Sequence, residues 1–338
     1  MKSYHAAIIS LVWLTANPGI DACCPVAPLN SHVINTDQSV IMIWDKQTQT
    51  QHFIRKADFK TDAKDIGFLV PSPSRPQLNE SGNAAFEKLA EITAPTKPRG
   101  GGISFGCAGP IPESANAGVM VIEEKRVAGY DATVLTARSG SDLVEWLKNN
   151  GYPYSPAIAE WAKPYLGGDW HFTALKLVKD SKPRQENALK ASALRISFTT
   201  ARPLFPYREP DSGVASEALN NSHRTLRIYF IADTQYEGKI NGRHSWSANT
   251  MWSGDITSHR AALLRELKLP PNTGSKKWWL TEFQDQWPYE KAAGDLYFSQ
   301  VAKSMVIDRD GKHIPYKMDA AFLGLIALFC LMKARREK

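Results

Sequence analysis

Cysteine is scarce in this chain of 338 residues, with four, at positions 23, 24, 107 and 330. The adjacent pair Cys23-Cys24 has no second pair at a recurring spacing, which excludes a structural zinc site drawing four ligands. Charge of one sign is also short. The formal net charge is +7, but Lys333, Arg335, Arg336 and Lys338 less Glu337 supply three of those charges, and Lys2 cancels Asp21. About +4 remains over the body, too thin a surplus for a nucleic-acid stripe. Catalytic motifs are missing as well. Gly100-Gly-Gly102 follows no strand, opens no helix and precedes no Lys-Ser or Lys-Thr, so it is a loop and not a phosphate cradle. Ser104 lacks the Gly-x-Ser-x-Gly elbow. Cys107 has neither a base nor a positive charge beside it in sequence.

Two apolar segments are present, one at each end. Residues 6–16 follow Met1-Lys2 and break at Asn17-Pro18-Gly19 before Ala22-Cys23, the layout of an export signal at 1–22 cleaved after Ala22. Lipidation of Cys23 is a variant of the same reading, although Asp21 sits where such signals want a small or apolar residue. The rear run Ala320 to Met332, within a membrane segment at 318–333, has no polar face and meets Lys333 and the basic tail at 334–338 at once. Thirteen helical residues cover about 20 Å against about 30 Å of hydrocarbon, a deficit that flanking lysines and local thinning can absorb. Basic tails stay cytoplasmic, so both ends place the body at 23–312 outside. In an oxidising compartment Cys24 is expected to bridge Cys107, with Cys23 as the alternative partner.

Hydrophobic content of 43% with 10 Trp, 11 Tyr and 13 Phe belongs to a folded body, with a subdivision admitted near 208–225. Residues 39–44 and 51–55 read as a hairpin and 66–70 as a third strand, stopped by the prolines of 71–76. A helix fits 84–92. Residues 118–123 and 130–136 are strands joined by 124–129. Ser139 or Ser141 caps a helix running to Asn150-Gly151, and Ser155-Pro156 opens another with Trp161 inward. Residues 226–231 and 277–283 are strands, Asn241-Gly242 is a turn, and 258–268 is an amphipathic helix. The predicted class is α+β, mainly antiparallel sheet with several short helices, plus one C-terminal apolar helix.

Several runs together resemble one family. Ile66-Gly-Phe-Leu-Val-Pro-Ser-Pro73, the run from Gly129 to Leu135, Leu143-Val-Glu-Trp-Leu-Lys-Asn-Asn-Gly-Tyr152, the run from Phe172 to Leu177, Arg202-Pro-Leu-Phe-Pro-Tyr207, the run from Trp279 to Phe283 and Asp295-Leu-Tyr-Phe298 are similar to the bacterial domain of unknown function 2330. The likeness spans roughly residues 22 to 300. It implies an exported chain beginning with Ala-Cys after its signal and ending in a short apolar segment, and no activity or catalytic residue.

Function is accordingly weighed among three classes. The first is a non-enzymatic protein of the cell envelope, carried across the inner membrane, held by its C-terminal helix with the body in the periplasm or outside, and binding or scaffolding an envelope protein or glycan without a cofactor. The second is a metal-assisted hydrolase using His244, Asp255 and His259, if the fold gathers them. The third is carbohydrate binding by stacking on Trp246, Trp252, Trp278 and Trp279, although burial is the commoner fate of such rings. His52, His171, His223 and His313 stand singly. Asp131 and the Asp62/Asp65 pair lack a visible catalytic partner.

Overall fold

A computed structural model describes residues 25–26, 33–61, 67–95, 119–152, 154–177, 188–190, 193–208, 210, 224–287, 294–309 and 313–315. Its first sheet orders β1 (Pro25–Val26), β4 (Gly67–Ser72), β8 (His171–Leu177), β7 (Tyr130–Ala137) and β6 (Val119–Val127), all antiparallel. The second orders β18 (His313–Pro315), β17 (Met305–Ile307), β14 (Asn249–Asp255), β15 (Trp279–Trp287), β12 (Arg224–Ala232), β2 (Val33–Asp45), β3 (Thr50–Thr61), β10 (Ala193–Thr199) and β5 (Gln77–Ser81), with β9 (Ala188–Lys190) attached to β3. A small third sheet joins β11 (Leu204–Phe205), β16 (Leu296–Gln300) and β13 (Tyr236–Ile240). Among the described pairs only β2 with β12 is parallel. These two strands are separated by most of the chain, so no short connection constrains their direction.

The continuous apolar run at 40–44 is explained by burial on both faces. Val40, Met42 and Trp44 point into a core shared with Phe68, Tyr130 and Val134 of the first sheet and with Phe205 and Phe298 of the third. Ile41 and Ile43 point the other way, against helices α1 (Ala84–Ile92) and α4 (Arg260–Glu266). The outer face of the first sheet is covered in turn by α2 (Gly140–Asn149) and α3 (Ala157–Ala162), through Leu143, Trp146, Ile158 and Trp161. The layers run helix, sheet, sheet, helix, which is an α+β architecture dominated by antiparallel strands. The predicted hairpin is present as β2 and β3, registered from Val33 opposite Thr61 to Asp45 opposite Thr50. Its turn is closed by the Asp45 carboxylate, which accepts from the Gln47 N–H at 2.9 Å.

Two expectations need correction. The prolines of 71–76 do not end pairing at Val70, because Pro71 and Ser72 still lie opposite Phe172 and His171. On its other side β4 meets β1 only at Gly67 and Phe68, so the missing proline N–H falls where no ladder bond is needed. The loop predicted at 124–129 shrinks to Ala128 and Gly129, at φ 54° and 84°. That is a two-residue turn whose twist suits the strands it joins. The C-terminal apolar helix at 318–333, the signal at 1–22 and all four cysteines, hence the Cys24 to Cys107 bridge, lie outside the described residues, and so does most of 208–225. Among the described residues no helix is long and apolar enough to cross a membrane.

The helix α2 shows most directly how local chemistry sets packing. Ser139 Oγ accepts from the Asp142 N–H at 3.0 Å at one end, and Gly151 at φ 66° turns the chain at the other. Its first residue, Gly140, faces the backbone of Ala159 in α3, where any Cβ would overlap the Ala159 carbonyl. Gly140→Ala is therefore expected to cost about 2 kcal/mol through forced separation of the two helices. Gly129→Ala, where the added methyl meets open space at φ 84°, is expected to cost about 1 kcal/mol from backbone conformation alone. Urea unfolding midpoints of the two variants check the order.

Candidate functional site

Most buried polar chemistry of the body holds layers together. Asp295, at 5% exposure, accepts both from the Tyr165 hydroxyl at 3.0 and 2.8 Å and from the backbone N–H groups of Tyr207 at 2.9 Å and Arg208 at 3.1 Å. Burial pushes its carboxyl above the ordinary carboxylate range, and those donors pull part of the way back. The Tyr165 hydroxyl is driven well above its usual value by burial and by the facing Asp295, so it stays a donor. Tyr207 continues the chain, its hydroxyl donating to Asp285 Oδ2 at 2.5 Å. Asp285 also accepts from Trp246 Nε1 at 3.1 Å and Ser247 Oγ at 3.2 Å. Each carboxylate is enclosed by donors, which leaves neither offered as a base to a solute.

On the helix-covered face of the second sheet, an open cleft of about 370 Å³ lies between the last turn of α1 and the turn leading out of β14. Lys88, Glu91 and Ile92 form one wall, spaced so that one helix face presents them. Trp252, Asp255, Ile256 and His259 form the other. Trp252 lies across Gly254, where a Cβ would come within 2.7 Å of the ring's Cη2, so glycine at 254 is what lets the indole sit flat on its own strand. Asp255 Oδ1 accepts from the Thr257 N–H at 2.8 Å and shapes the 3-10 turn Thr257–His259. The walls are tied together by Arg309, which donates to the Thr93 carbonyl just beyond Ile92 and to Glu282 Oε1 at 2.6 Å. Glu282 is opposite Trp252 in the β14 and β15 register and also pairs with Arg227 Nε at 3.2 Å.

Two of the three proposed metal ligands, Asp255 and His259, share this cleft. His244 does not line it. It sits in the turn after β13, exchanging backbone bonds with Ile240, and β14 intervenes, whose seven residues carry the chain roughly 20 Å at about 3.3 Å each. Among the described residues no group of three His, Cys, Asp or Glu side chains is gathered to hold a metal ion. Of the four proposed stacking rings, only Trp252 lines the cleft. Trp278 and Trp279 are buried at 1% and 0% exposure, and Trp279 Nε1 donates to Ser253 Oγ at 2.8 Å. Trp246 is half-buried over Asp285, edge-on to Tyr207. Lys88, Glu91 and the Arg309 tie were missed, although Glu91 sits one position from the apolar stripe that identified α1.

Fold and site thus define a β-rich α+β protein with a shallow, mixed-charge cleft and buried carboxylates committed to structure. Over residues 18–299 the chain matches the model of DUF2330, described as an uncharacterized protein conserved in bacteria, and it belongs to that family. No curated protein matches it. Among solved structures a crystal structure of baculovirus P35 is similar, with 11% identity, a TM-score of 0.35, and coverage of 86% of this chain and 93% of that one. A likeness that loose informs neither fold nor function.

Proposed function

We propose that this protein is an exported, membrane-anchored component of the bacterial cell envelope that binds or scaffolds other envelope components and does not catalyse a reaction. Export and anchoring rest on the sequence of the two apolar ends, with the basic tail on the cytoplasmic side. The observation that carries the binding reading is the cleft between α1 and β14, an aromatic wall faced by polar side chains of both signs, set on a scaffold in which the buried Asp285, Asp295 and Glu282 each accept from groups of other elements.

Cell fractionation tests the location, combined with alkylation of Cys24 and Cys107 before and after reduction. The expected outcome is a membrane-bound chain, shortened by its signal, whose two thiols resist labelling until reduced. An uncut chain in the cytosolic supernatant overturns the location. Turnover by the purified body, abolished by one polar substitution, overturns the binding role.

A further inference from the structure

We infer that the body rests on the membrane surface through the end of the second sheet where β17 begins and β18 ends, with the loop at 300–306 in the headgroup layer, an inference that rests on the C-terminal anchoring proposed above. The length of chain beyond β18 sets the distance. Pro315 closes that strand and the proposed membrane segment begins at 318, so the three residue steps between them span at most about 11 Å even when fully extended. Headgroups themselves occupy about 5–7 Å on each side of the hydrocarbon. Met305 stands opposite Pro315 in the β17 and β18 register, about 5 Å away between Cα atoms. This end of the sheet is thereby held near the bilayer. Ser253 lies opposite Ile307, which puts Met305 level with Asp255, while Asn249 at the other end of β14 is roughly 20 Å farther along the strand.

The side chains at this end suit such a contact. Among the described residues the large apolar side chains left exposed are Met120 and Met305, the second at 38%. Ala302 and Lys303 are exposed beside Met305, Val301 and Val306 are half-buried, and no Asp or Glu occurs from 299 to 307. Apolar side chains around a lysine match an interface where methyl groups reach the upper acyl chains and an ammonium stays among phosphates. Lys46 joins them from the β2 and β3 turn, donating to Gln300 Oε1 at 3.4 Å. Asp233, half-buried in an adjoining turn, tempers the positive charge, so the tether and the apolar side chains set the contact and the sign of the lipid does not.

The loop is also fixed to the body. The Met305 N–H donates to Gln235 Oε1 at 2.7 Å, Ser304 Oγ lies 2.7 Å from Thr234 Oγ1, and the Val301 N–H donates to the Gln235 carbonyl at 3.1 Å. A short tether leaving so firm a strand end keeps the loop at high effective concentration at the surface and orients the whole body with it.

Photocrosslinking of the full chain in vesicles of phosphatidylethanolamine and phosphatidylglycerol tests the inference. The variants are Met305→p-benzoylphenylalanine and Ala302→p-benzoylphenylalanine on the loop, with Asn249→p-benzoylphenylalanine, also an exposed position, at the far end of β14. Flotation with the vesicles is read before irradiation, and lipid adducts are then counted by mass spectrometry. All three variants are expected to float, and both loop positions to give lipid adducts in about fivefold or greater excess over Asn249, because the layer that holds lipid is thin beside the length of the strand. Floating protein in which neither loop position exceeds Asn249 overturns the inference and leaves the anchoring standing. Protein that fails to float overturns the anchoring, and the inference falls with it.

Discussion

Replacing Glu282 with alanine is expected to destabilise the body by about 3–5 kcal/mol, the range found when one member of a buried ion-pair network is removed. The Glu282 side chain is fully buried, with Arg227 Nε at 3.2 Å and Arg309 Nη2 at 2.6 Å from one carboxylate oxygen. Alanine leaves two partly buried guanidinium groups, 31% and 19% exposed, facing each other without their shared carboxylate, and each must then be further hydrated or displaced. Glu282→Gln keeps the volume and one acceptor but drops the charge, so an intermediate loss is expected. Replacing Glu282, Arg227 and Arg309 together with Met, Met and Leu should recover much of the loss, because no charge is then stranded. Guanidinium unfolding of the three proteins gives the comparison, and a cost below about 1 kcal/mol for Glu282→Ala would show that the triad is solvated in solution. The same variant frees Arg309 from β15, so amide exchange in the last turn of α1 should quicken with it.

What was legible in the sequence was what neighbouring residues decide. Ser139 before an apolar stripe and Gly151 after it mark α2 without any tertiary information, and both act as expected. The run at 39–44 announces a strand, and the polar stretch after it announces the hairpin. Pairing between distant segments left no such mark. Arg309 reaches Thr93 across 216 positions, and no periodicity records that distance. The tryptophans of the last third looked alike as a cluster, yet sheet pleating sends Trp279 inward and leaves Trp252 at a cleft. Asp255 and His259 could be paired because one turn contains both, whereas His244 is separated from them by a full strand. The runs that carried the family likeness do contain Tyr207, Glu282 and Asp295, the polar residues that tie the layers. Sequence alone could not tell them from surface residues, since their partners lie on other strands.

Acid should unfold this body from about pH 6.5 downward, and His52 is expected to be a principal cause. Burial lowers its pKa from 6.5 to about 4, with the Arg195 charge adding to the effect and Asp45 opposing it. The ring lies on β3 with Nδ1 2.8 Å from Ser197 Oγ on β10, and Arg195, two positions before that serine, is itself fixed by donating to the Leu267 and Lys268 carbonyls at the end of α4. Because the folded state holds His52 neutral, the unfolded chain binds the extra proton between pH 6.5 and 4, and stability falls as pH falls through that window. A shift of this size corresponds to at most about 3 kcal/mol at 1.36 kcal/mol per pKa unit. Asp295 acts with the opposite sign. Its raised carboxyl takes up a proton on folding, so its contribution is lost as pH rises from the ordinary carboxylate value through the raised one. Subtracting the pH profile of His52→Gln from that of the parent protein removes the Asp295 term, which the two share. The difference should reach its lowest, level value below pH 4, where His52 is protonated in both states, and should grow in favour of the parent as pH rises from 4 to 7. A flat difference between pH 4 and 7, measured by urea midpoints, would mean that the imidazole is solvated in the folded body.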